Sequence, residues 1–321
     1  MSKSIIILGR QPALGLAELE SLYGPTILRA VPESNAALLN IDHSKINLNR
    51  LGGSLKLAKL LYEFDSTSWN TIQKYLQRTM PEHVSYVPEG KFTLGLSVFG
   101  LDVPPKQLLA TGLTLKKTLK AQGRSVRLVP NKESALNSAQ VLYNKLTSPN
   151  GWELIFVRDG NRVLMAQTVK EQDIDAFAAR DQMRPKRDAL VGMLPPKLAQ
   201  IIINLATGPT DTVHDKLLLD PFCGTGVILQ EAALMGYDIA GSDLEDRMIS
   251  YSDQNLRWFA TQPQFKTPIV INDNRPSYNL EQGDATNHSW VPIPDVIACE
   301  TYLGRPFSHK PDAFTLDKVM Q

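Results

Sequence analysis

The sequence predicts an α/β protein in which two α+β units are followed by a doubly wound parallel sheet. Its 321 residues are enough for two or three domains of ordinary size. Short apolar runs alternate with segments of helical spacing that begin at Pro or end at Gly. The most informative run, at 217–219, ends in Asp220 and a Gly-x-Gly turn that opens a helix. This arrangement is typical of the first βα unit of a doubly wound sheet.

The composition excludes several classes of protein. At 43% hydrophobic and 21% charged residues, the chain is neither disordered nor collagen-like. Its apolar runs fall well short of the ~20 residues that a membrane-spanning helix needs. The two cysteines, Cys223 and Cys299, are too few for a disulfide framework and do not form a Cys-x-x-Cys metal site. We therefore expect a cytoplasmic protein with neither a metal site nor a membrane partner.

The first domain is predicted to span residues 1–74. A strand at Ile5–Leu8 precedes a helix that begins after Pro12. A second strand is predicted at Ala36–Ile41, and the leucines of Leu51–Leu61 predict a second helix. Because this region has no motif that points to chemistry, we interpret it as a positioning module.

The second domain is predicted to span residues 75–170. Pro104 and Pro105 open a helix whose apolar side chains, from Leu108 to Leu119, recur at intervals of three and four residues. Strands are predicted at 92–99, 125–129, 154–157 and 163–169. An Asp-Gly pair joins the last two strands and predicts a hairpin.

Basic residues are concentrated in the middle of the chain. Residues 91–188 contain 16 Lys or Arg against 9 Asp or Glu, whereas residues 211–321 contain 8 against 16. A basic segment of this kind suits a polyanion, although it is equally compatible with a solvated face that has no partner. Part of it is a basic linker, 171–196, which precedes a predicted helix over 197–207. The candidate phosphate contacts are Lys116, Lys117, Lys120, Arg124, Arg127, Lys132, Arg184, Lys186 and Arg187.

The glycine turn after Asp220 argues against two common phosphate sites. The third glycine of a dinucleotide fingerprint would fall at Leu229, and no Gly-Lys-Ser/Thr follows. An acid at the strand end would repel a phosphate but suits a cationic group. S-adenosylmethionine fits this requirement, because its sulfonium is cationic and its methionine end is zwitterionic.

Two further acids follow the next two predicted strands. Asp243 lies 23 residues after Asp220, the spacing at which an acid reaches ribose hydroxyls. Asp284 follows the third strand and is a candidate acceptor for an adenine amine. Each acid alone is more often a helix cap or a turn residue. The predicted cofactor site comprises Asp220, Phe222, Gly224, Gly226, Asp243, Leu244, Asp284 and Ala285.

Asp220–Gly226, which reads Asp-Pro-Phe-Cys-Gly-Thr-Gly, resembles motif I of the class I methyltransferases that use S-adenosylmethionine. Together with the basic linker, it resembles the THUMP-domain tRNA guanine-N2 methyltransferases that modify position 10. The resemblance implies a ferredoxin-like unit over 1–74, a THUMP-like unit over 75–170 and a Rossmann-like methyltransferase domain over 197–321. It also implies tRNA as the partner, with no DNA, and either a monomer or a complex with a small activating protein.

The catalytic residues are implied by the same resemblance. In this family the fourth strand is followed by Asp or Asn, two prolines and an aromatic residue, and here that strand is predicted at Asp295–Cys299. The corresponding catalytic candidates are Glu300, Thr301 and Tyr302, with Glu300 at the acid position and Tyr302 available to stack on the base. Both prolines are absent. The alternatives are a surface acid at a strand end and an ordinary core tyrosine.

We expect the methyltransferase domain to be C-terminally incomplete, because only 17 residues follow Gly304. Either the chain is a fragment, which we favour, or a partner completes the sheet, or the domain no longer catalyses. The sequence thus predicts methyl transfer to a guanosine N2 amine in tRNA. Two alternatives stay open: a non-catalytic tRNA-binding adapter with a degenerate methyltransferase fold, and a methyltransferase for another RNA amine, such as a guanine or adenine of ribosomal RNA.

Overall fold

The computed structural model describes residues 2–188, 193–209, 216–265, 269–272 and 275–301. The chain divides into two compact units, Met1–Ile174 and Asp175–Gln321. None of the helices within the described ranges is long and apolar enough to cross a membrane.

The first unit is built on one eight-stranded sheet with the order β2-β3-β1-β4-β8-β7-β5-β6. Its strands are β1 (Ser4–Leu8), β2 (Leu28–Val31), β3 (Ala36–Leu39), β4 (Ser54–Phe64), β5 (Phe92–Phe99), β6 (Val126–Leu128), β7 (Gly151–Asp159) and β8 (Arg162–Glu171). Its helices are α1 (Pro12–Tyr23), α2 (Trp69–Val84), α3 (Pro105–Ala121) and α4 (Ser138–Tyr143), with short 3-10 turns at Pro32–Ser34, His43–Lys45 and Leu48–Arg50. β5 runs parallel to β6 and β7, whereas β4 is antiparallel to β1 and β8.

The helix predicted at Leu51–Leu61 is wrong, because this segment forms most of β4. β4 lies in the interior of the sheet between β1 and β8, where Leu57 and Ala58 are both buried although they face opposite sides. A strand that is buried on both faces is apolar at consecutive positions, so its spacing resembles that of a buried helix.

The first unit does not separate at the boundary predicted between residues 74 and 75. That position lies inside α2, and Ile72 and Leu76 belong to the same core cluster. The sheet includes strands from both sides of the boundary. The division into a ferredoxin-like and a THUMP-like part therefore stays a prediction.

The second unit contains the predicted parallel sheet, which is confirmed for its four described strands. Their order is β13-β10-β9-β14. The strands are β9 (Leu217–Asp220), β10 (Asp238–Asp243), β13 (Asn279–Gln282) and β14 (Val296–Ile297), with a separate hairpin of β11 (Ile271–Asn272) and β12 (Arg275–Pro276). The helices are α5 (Ile174–Gln182), α6 (Pro196–Thr207), α7 (Val227–Leu234) and α8 (Asp246–Ala260), and a 3-10 turn lies at Pro263–Phe265.

The order of these strands determines which side chains meet at the carboxyl edge of the sheet. β9 pairs in parallel with β10 on one side and with β14 on the other. Asp220 therefore ends the inner strand, Asp243 ends its neighbour, and Glu300 follows β14 on the opposite side. Ligands of open α/β sheets bind at this edge, in the crevice beyond the carboxyl ends of the strands.

Candidate functional site

The turn between β9 and α7 depends on two glycines. Gly224 has a φ of 50° and Gly226 a φ of 82°, in the left-handed region that favours glycine. A Cβ atom on Gly226 would also lie 2.9 Å from Ser252 Oγ. The backbone at Gly226 therefore passes close to α8. It leads into α7 in a conformation that a residue other than glycine would adopt only with strain.

Asp243 holds this turn through its carboxylate. Its Oδ2 accepts a hydrogen bond of 2.9 Å from the Gly224 amide, and its Oδ1 accepts one of 3.0 Å from the Glu245 amide. Each carboxylate oxygen has a second lone pair, which stays available to a ligand hydroxyl. Asp243 is thus part of the loop framework and also a candidate ligand group.

Asp220 is an acid of the site whose pKa is strongly raised. Its side chain is almost fully buried, and Oδ1 accepts one hydrogen bond, of 3.1 Å, from the Phe222 amide. Burial, reinforced by the nearby negative charges of Asp243 and Glu300, raises the pKa of the carboxyl to about 8. A cation bound beside it would reverse this effect, so the geometry favours a positively charged ligand group.

The other predicted cofactor residues are more exposed. Asp284 is exposed, and its Oδ1 accepts hydrogen bonds from the amide and the hydroxyl of Thr286, which lower the pKa of the carboxyl. Phe222 and Leu244 are exposed by 41% and 67%. Ala285 is half-buried. The described structure thus offers apolar and polar surfaces at the carboxyl edge.

Glu300 and Thr301 are both exposed. Glu300 lies close enough to Asp220 for its charge to raise the pKa of that buried acid. Cys299, between β14 and Glu300, is half-buried. Its burial, and to a smaller extent the charge of Asp220, raises the pKa of its thiol. Tyr302 lies outside the described residues. The charges of Asp243 and Glu300 therefore both act on the buried carboxyl of Asp220.

The predicted phosphate contacts differ in their exposure. The exposed members are Lys117, Lys120, Arg127, Lys132 and Arg187, and the half-buried ones are Lys116, Arg124 and Lys186. The Arg124 guanidinium donates to the Pro88 carbonyl.

Arg184 does not fit a phosphate contact. Its guanidinium is buried, 3.8 Å from an Asp181 carboxylate oxygen and 3.7 Å from Met193 Sδ, and burial lowers its pKa. A run of basic residues in a sequence does not reveal which of them faces inward. We therefore withdraw Arg184 from the proposed RNA contacts.

Two polar residues of α8 escaped the sequence analysis although they touch the glycine turn. Ser252 and Asn255 are both fully buried. The Ser252 hydroxyl donates to the Gly224 carbonyl at 2.9 Å, and Asn255 Nδ2 donates to the Thr225 carbonyl at 2.8 Å. Their position on the apolar face of an amphipathic helix was the available signal, because buried polar groups need partners.

The comparison with protein families identifies a match within the second unit. Residues 184–278 match the family UPF0020, described as the RMKL-like methyltransferase domain. The tRNA (guanine(10)-N2)-dimethyltransferase of Methanothermobacter thermautotrophicus is 38% identical over 81 residues, which are 25% of this chain and 23% of that protein. The corresponding protein of Methanocaldococcus jannaschii is 43% identical over 65 residues, 20% of this chain and 17% of that protein. The aligned segments thus span less than a quarter of these relatives.

A solved structure resembles a larger part of the chain. It is the crystal structure of SMU.472 complexed with SAH (S-adenosylhomocysteine). The alignment of the two structures covers 99% of this chain and 85% of SMU.472, with a TM-score of 0.50 and 14% identity. At this identity the likeness concerns the fold alone. It supports the Rossmann-like α/β fold class that the sequence predicts.

Proposed function

We propose that this chain, in which residues 184–278 match a methyltransferase domain, transfers a methyl group from S-adenosylmethionine to the N2 amine of a guanosine in tRNA. The observation that carries the proposal is the buried Asp220 at the end of β9, next to the glycine turn and flanked by Asp243 and Glu300. The substrate is inferred from relatives that are similar over 81 and 65 residues, which are tRNA (guanine(10)-N2)-dimethyltransferases.

The residues at the carboxyl edge fit this cofactor. S-adenosylmethionine supplies an activated methyl group on a cationic sulfonium. Asp220 is the buried acid that a cationic group would stabilise, and Asp243 has lone pairs for the ribose hydroxyls. The exposed side chains of Phe222 and Leu244 provide apolar surface for the adenine ring, and Asp284 provides an acceptor for its amine.

Glu300 is the proposed catalytic acceptor for the target amine. The lone pair of an exocyclic guanine amine is delocalised into the ring, which makes the nitrogen a weak nucleophile. A hydrogen bond from the amine to the Glu300 carboxylate would orient the nitrogen. The carboxylate would then accept a proton from the nitrogen as the N–C bond forms and the S–C bond breaks. Orientation of reacting groups can supply about 7–11 kcal/mol of barrier lowering. A base-paired guanosine must first leave its stack, at a cost of a few kcal/mol.

The tRNA would be held by the exposed lysines and arginines of the basic segment. Contacts of this kind position the RNA without reading its sequence. The THUMP-like character of residues 75–170 and the cytoplasmic location stay predictions.

A second candidate is the tRNA-binding adapter without activity. It is favoured by one observation, the absence of the two prolines after the fourth strand, where Glu300 is followed by Thr301. The same experiment separates the two functions.

The test is transfer of a labelled methyl group from S-adenosylmethionine to unmodified tRNA, followed by nucleoside digestion. We expect label in N2-methylguanosine, and no label in a transcript that carries adenosine at position 10. Measured at pH 8.5, where Asp220 is largely ionised in both proteins, Glu300→Gln keeps the size of the side chain but not its basicity and should lower kcat about 10²-fold or more with little change in the KM for the cofactor. Binding of tRNA without label and without cofactor binding would favour the adapter, and the lack of label, cofactor binding and tRNA binding would overturn both functions.

A further inference from the structure

The basic linker contacts α8 through a regular stripe of side chains. Arg247, Tyr251 and Asn255 are spaced four residues apart, so they lie on one face of the helix. Arg247 Nη2 lies 3.1 Å from an Asp188 carboxylate oxygen, and Lys186 Nζ lies 5.5 Å from the centre of the Tyr251 ring. The linker residues 186–188 are therefore fixed against this stripe.

Asn255 contacts both the linker and the glycine turn. Its Oδ1 accepts a hydrogen bond of 2.9 Å from the Lys186 amide, and its Nδ2 donates one of 3.0 Å to the Lys186 carbonyl. The same Nδ2 donates a bond of 2.8 Å to the Thr225 carbonyl. A primary amide has two N–H donors, and both are used here. One buried side chain thus joins two segments that are far apart in sequence.

The neighbouring contacts show that this connection is specific. Ser252, almost one helical turn before Asn255, donates to the Gly224 carbonyl and so holds only the turn. Arg247 pairs with Asp188 of the linker at 3.1 Å and with Glu245, at the start of α8, at 3.3 Å. Among these three side chains of α8, Asn255 alone bonds to both segments.

We propose that Asn255 is a positioning residue that couples the tRNA-binding linker to the cofactor-binding turn, so that each ligand raises the affinity for the other. The inference rests on the proposed function. A phosphate held by the exposed Arg187 would restrict the adjacent Lys186 backbone, and Asn255 would transmit that restriction to the Thr225 carbonyl. Coupling of binding free energies is reciprocal, so the cofactor would strengthen tRNA binding by the same factor.

The test is a binding cycle with the full chain. The affinity for S-adenosylhomocysteine is measured by calorimetry with and without saturating unmodified tRNA, and the ratio of the two dissociation constants is the coupling ratio. We expect a coupling ratio between about 5 and 150 for the unmodified protein. In Asn255→Asp, an oxygen replaces the nitrogen that faces the two carbonyls, and the ratio should fall to about 1.

Ser252→Ala is the matched control. It removes a hydrogen bond to the glycine turn without touching the linker, so it should weaken S-adenosylhomocysteine binding in both conditions and leave the coupling ratio unchanged. A purely structural role of Asn255 would produce this same pattern in Asn255→Asp, and that result would overturn the inference.

A second variant keeps the test decisive if Asn255→Asp does not fold. Arg247→Ala removes a half-exposed side chain that fixes the linker from outside, and it should lower the coupling ratio without changing binding in the absence of tRNA. An unchanged ratio in this variant, or a ratio of 1 in the unmodified protein when both ligands bind, would overturn the coupling but not the proposed function. Failure of the unmodified protein to bind either ligand would overturn both.

Discussion

At the scale of single residues, the proposed contact between Asp220 and the cofactor predicts that cofactor binding depends on pH. Its carboxyl has a pKa of about 8 because it is buried beside Asp243 and Glu300, so it is largely protonated at neutral pH. A cationic ligand requires the ionised form. The affinity for S-adenosylmethionine should therefore rise with pH up to about 8 and level off above it, with up to a tenfold loss for each pH unit below. Calorimetry at pH 6.5 and 8.5, in two buffers of different ionisation enthalpy, measures the affinity and the proton released.

Two variants identify the group that titrates. Asp220→Asn should bind the cofactor weakly with no dependence on pH between 6 and 9. Glu300→Gln removes one of the charges that raise the pKa of Asp220, so the pH profile should move to lower pH. An unmoved profile in both variants would show that Asp220 does not face the cation.

Asp220 also affects the stability of the protein without ligand. Its folded-state pKa is raised above the ordinary value of 3.8. The folded state therefore binds the proton more tightly than the unfolded state, and this group destabilises the fold progressively as pH rises from about 4 to 8. Asp220→Asn resembles the protonated form, so it should raise Tm by a few degrees at pH 8.5 and have little effect at pH 4. A uniform change in Tm at both values, by calorimetry, would contradict this account.

At the scale of elements, the turn between β9 and α7 depends on Gly226. An alanine there would be strained by a φ of 82° and would place its Cβ 2.9 Å from Ser252 Oγ. We expect Gly226→Ala to destabilise the second unit by about 1–2 kcal/mol and to weaken S-adenosylhomocysteine binding, because the turn and α8 must separate. Urea unfolding and calorimetry measure the two effects.

Gly236 provides the control for backbone strain. It also has a positive φ, of 95°, but a Cβ at this position would meet no atom within 4 Å. Gly236→Ala should therefore cost a similar free energy of unfolding and leave ligand binding unchanged. Equal losses of binding in the two variants would show that the contact with Ser252 does not matter.

The sequence predicted some elements better than others. An element was predictable where its signal lies in adjacent residues, and not where it depends on contacts between distant segments. The glycine turn was predictable because an apolar strand, an acid and two glycines stand next to each other in sequence. β4 was not, because its burial comes from neighbours on both sides of the sheet that spacing alone does not reveal. The role of Asn255 depends on contacts between the linker and α8 that only the folded chain brings together, and the burial of Arg184 is likewise a property of the folded chain that a run of basic residues does not reveal.

At the scale of the whole molecule, the opposite charges of the two parts of the chain predict how tRNA binding depends on salt. Residues 91–188 have an excess of seven positive charges and residues 211–321 an excess of eight negative ones. RNA affinity should therefore depend on the first of these segments and fall steeply with salt, since each phosphate contact releases counterions. A nearly neutral net charge of +1 does not reveal this behaviour.

The exposed lysines of α3 provide the sharpest test of that distribution. Lys117→Ala together with Lys120→Ala removes two exposed charges that lie near each other on the helix. If both contact phosphates, the slope of log affinity against log salt should become shallower by about 1 for each contact, measured by filter binding over a range of salt concentrations. Lys74→Ala removes an exposed charge from α2, outside the candidate contacts, and should leave the slope unchanged. Equal slopes for all three proteins would mean that the lysines of α3 form a solvated face, and the RNA would then have to be held by the linker and the remaining basic residues.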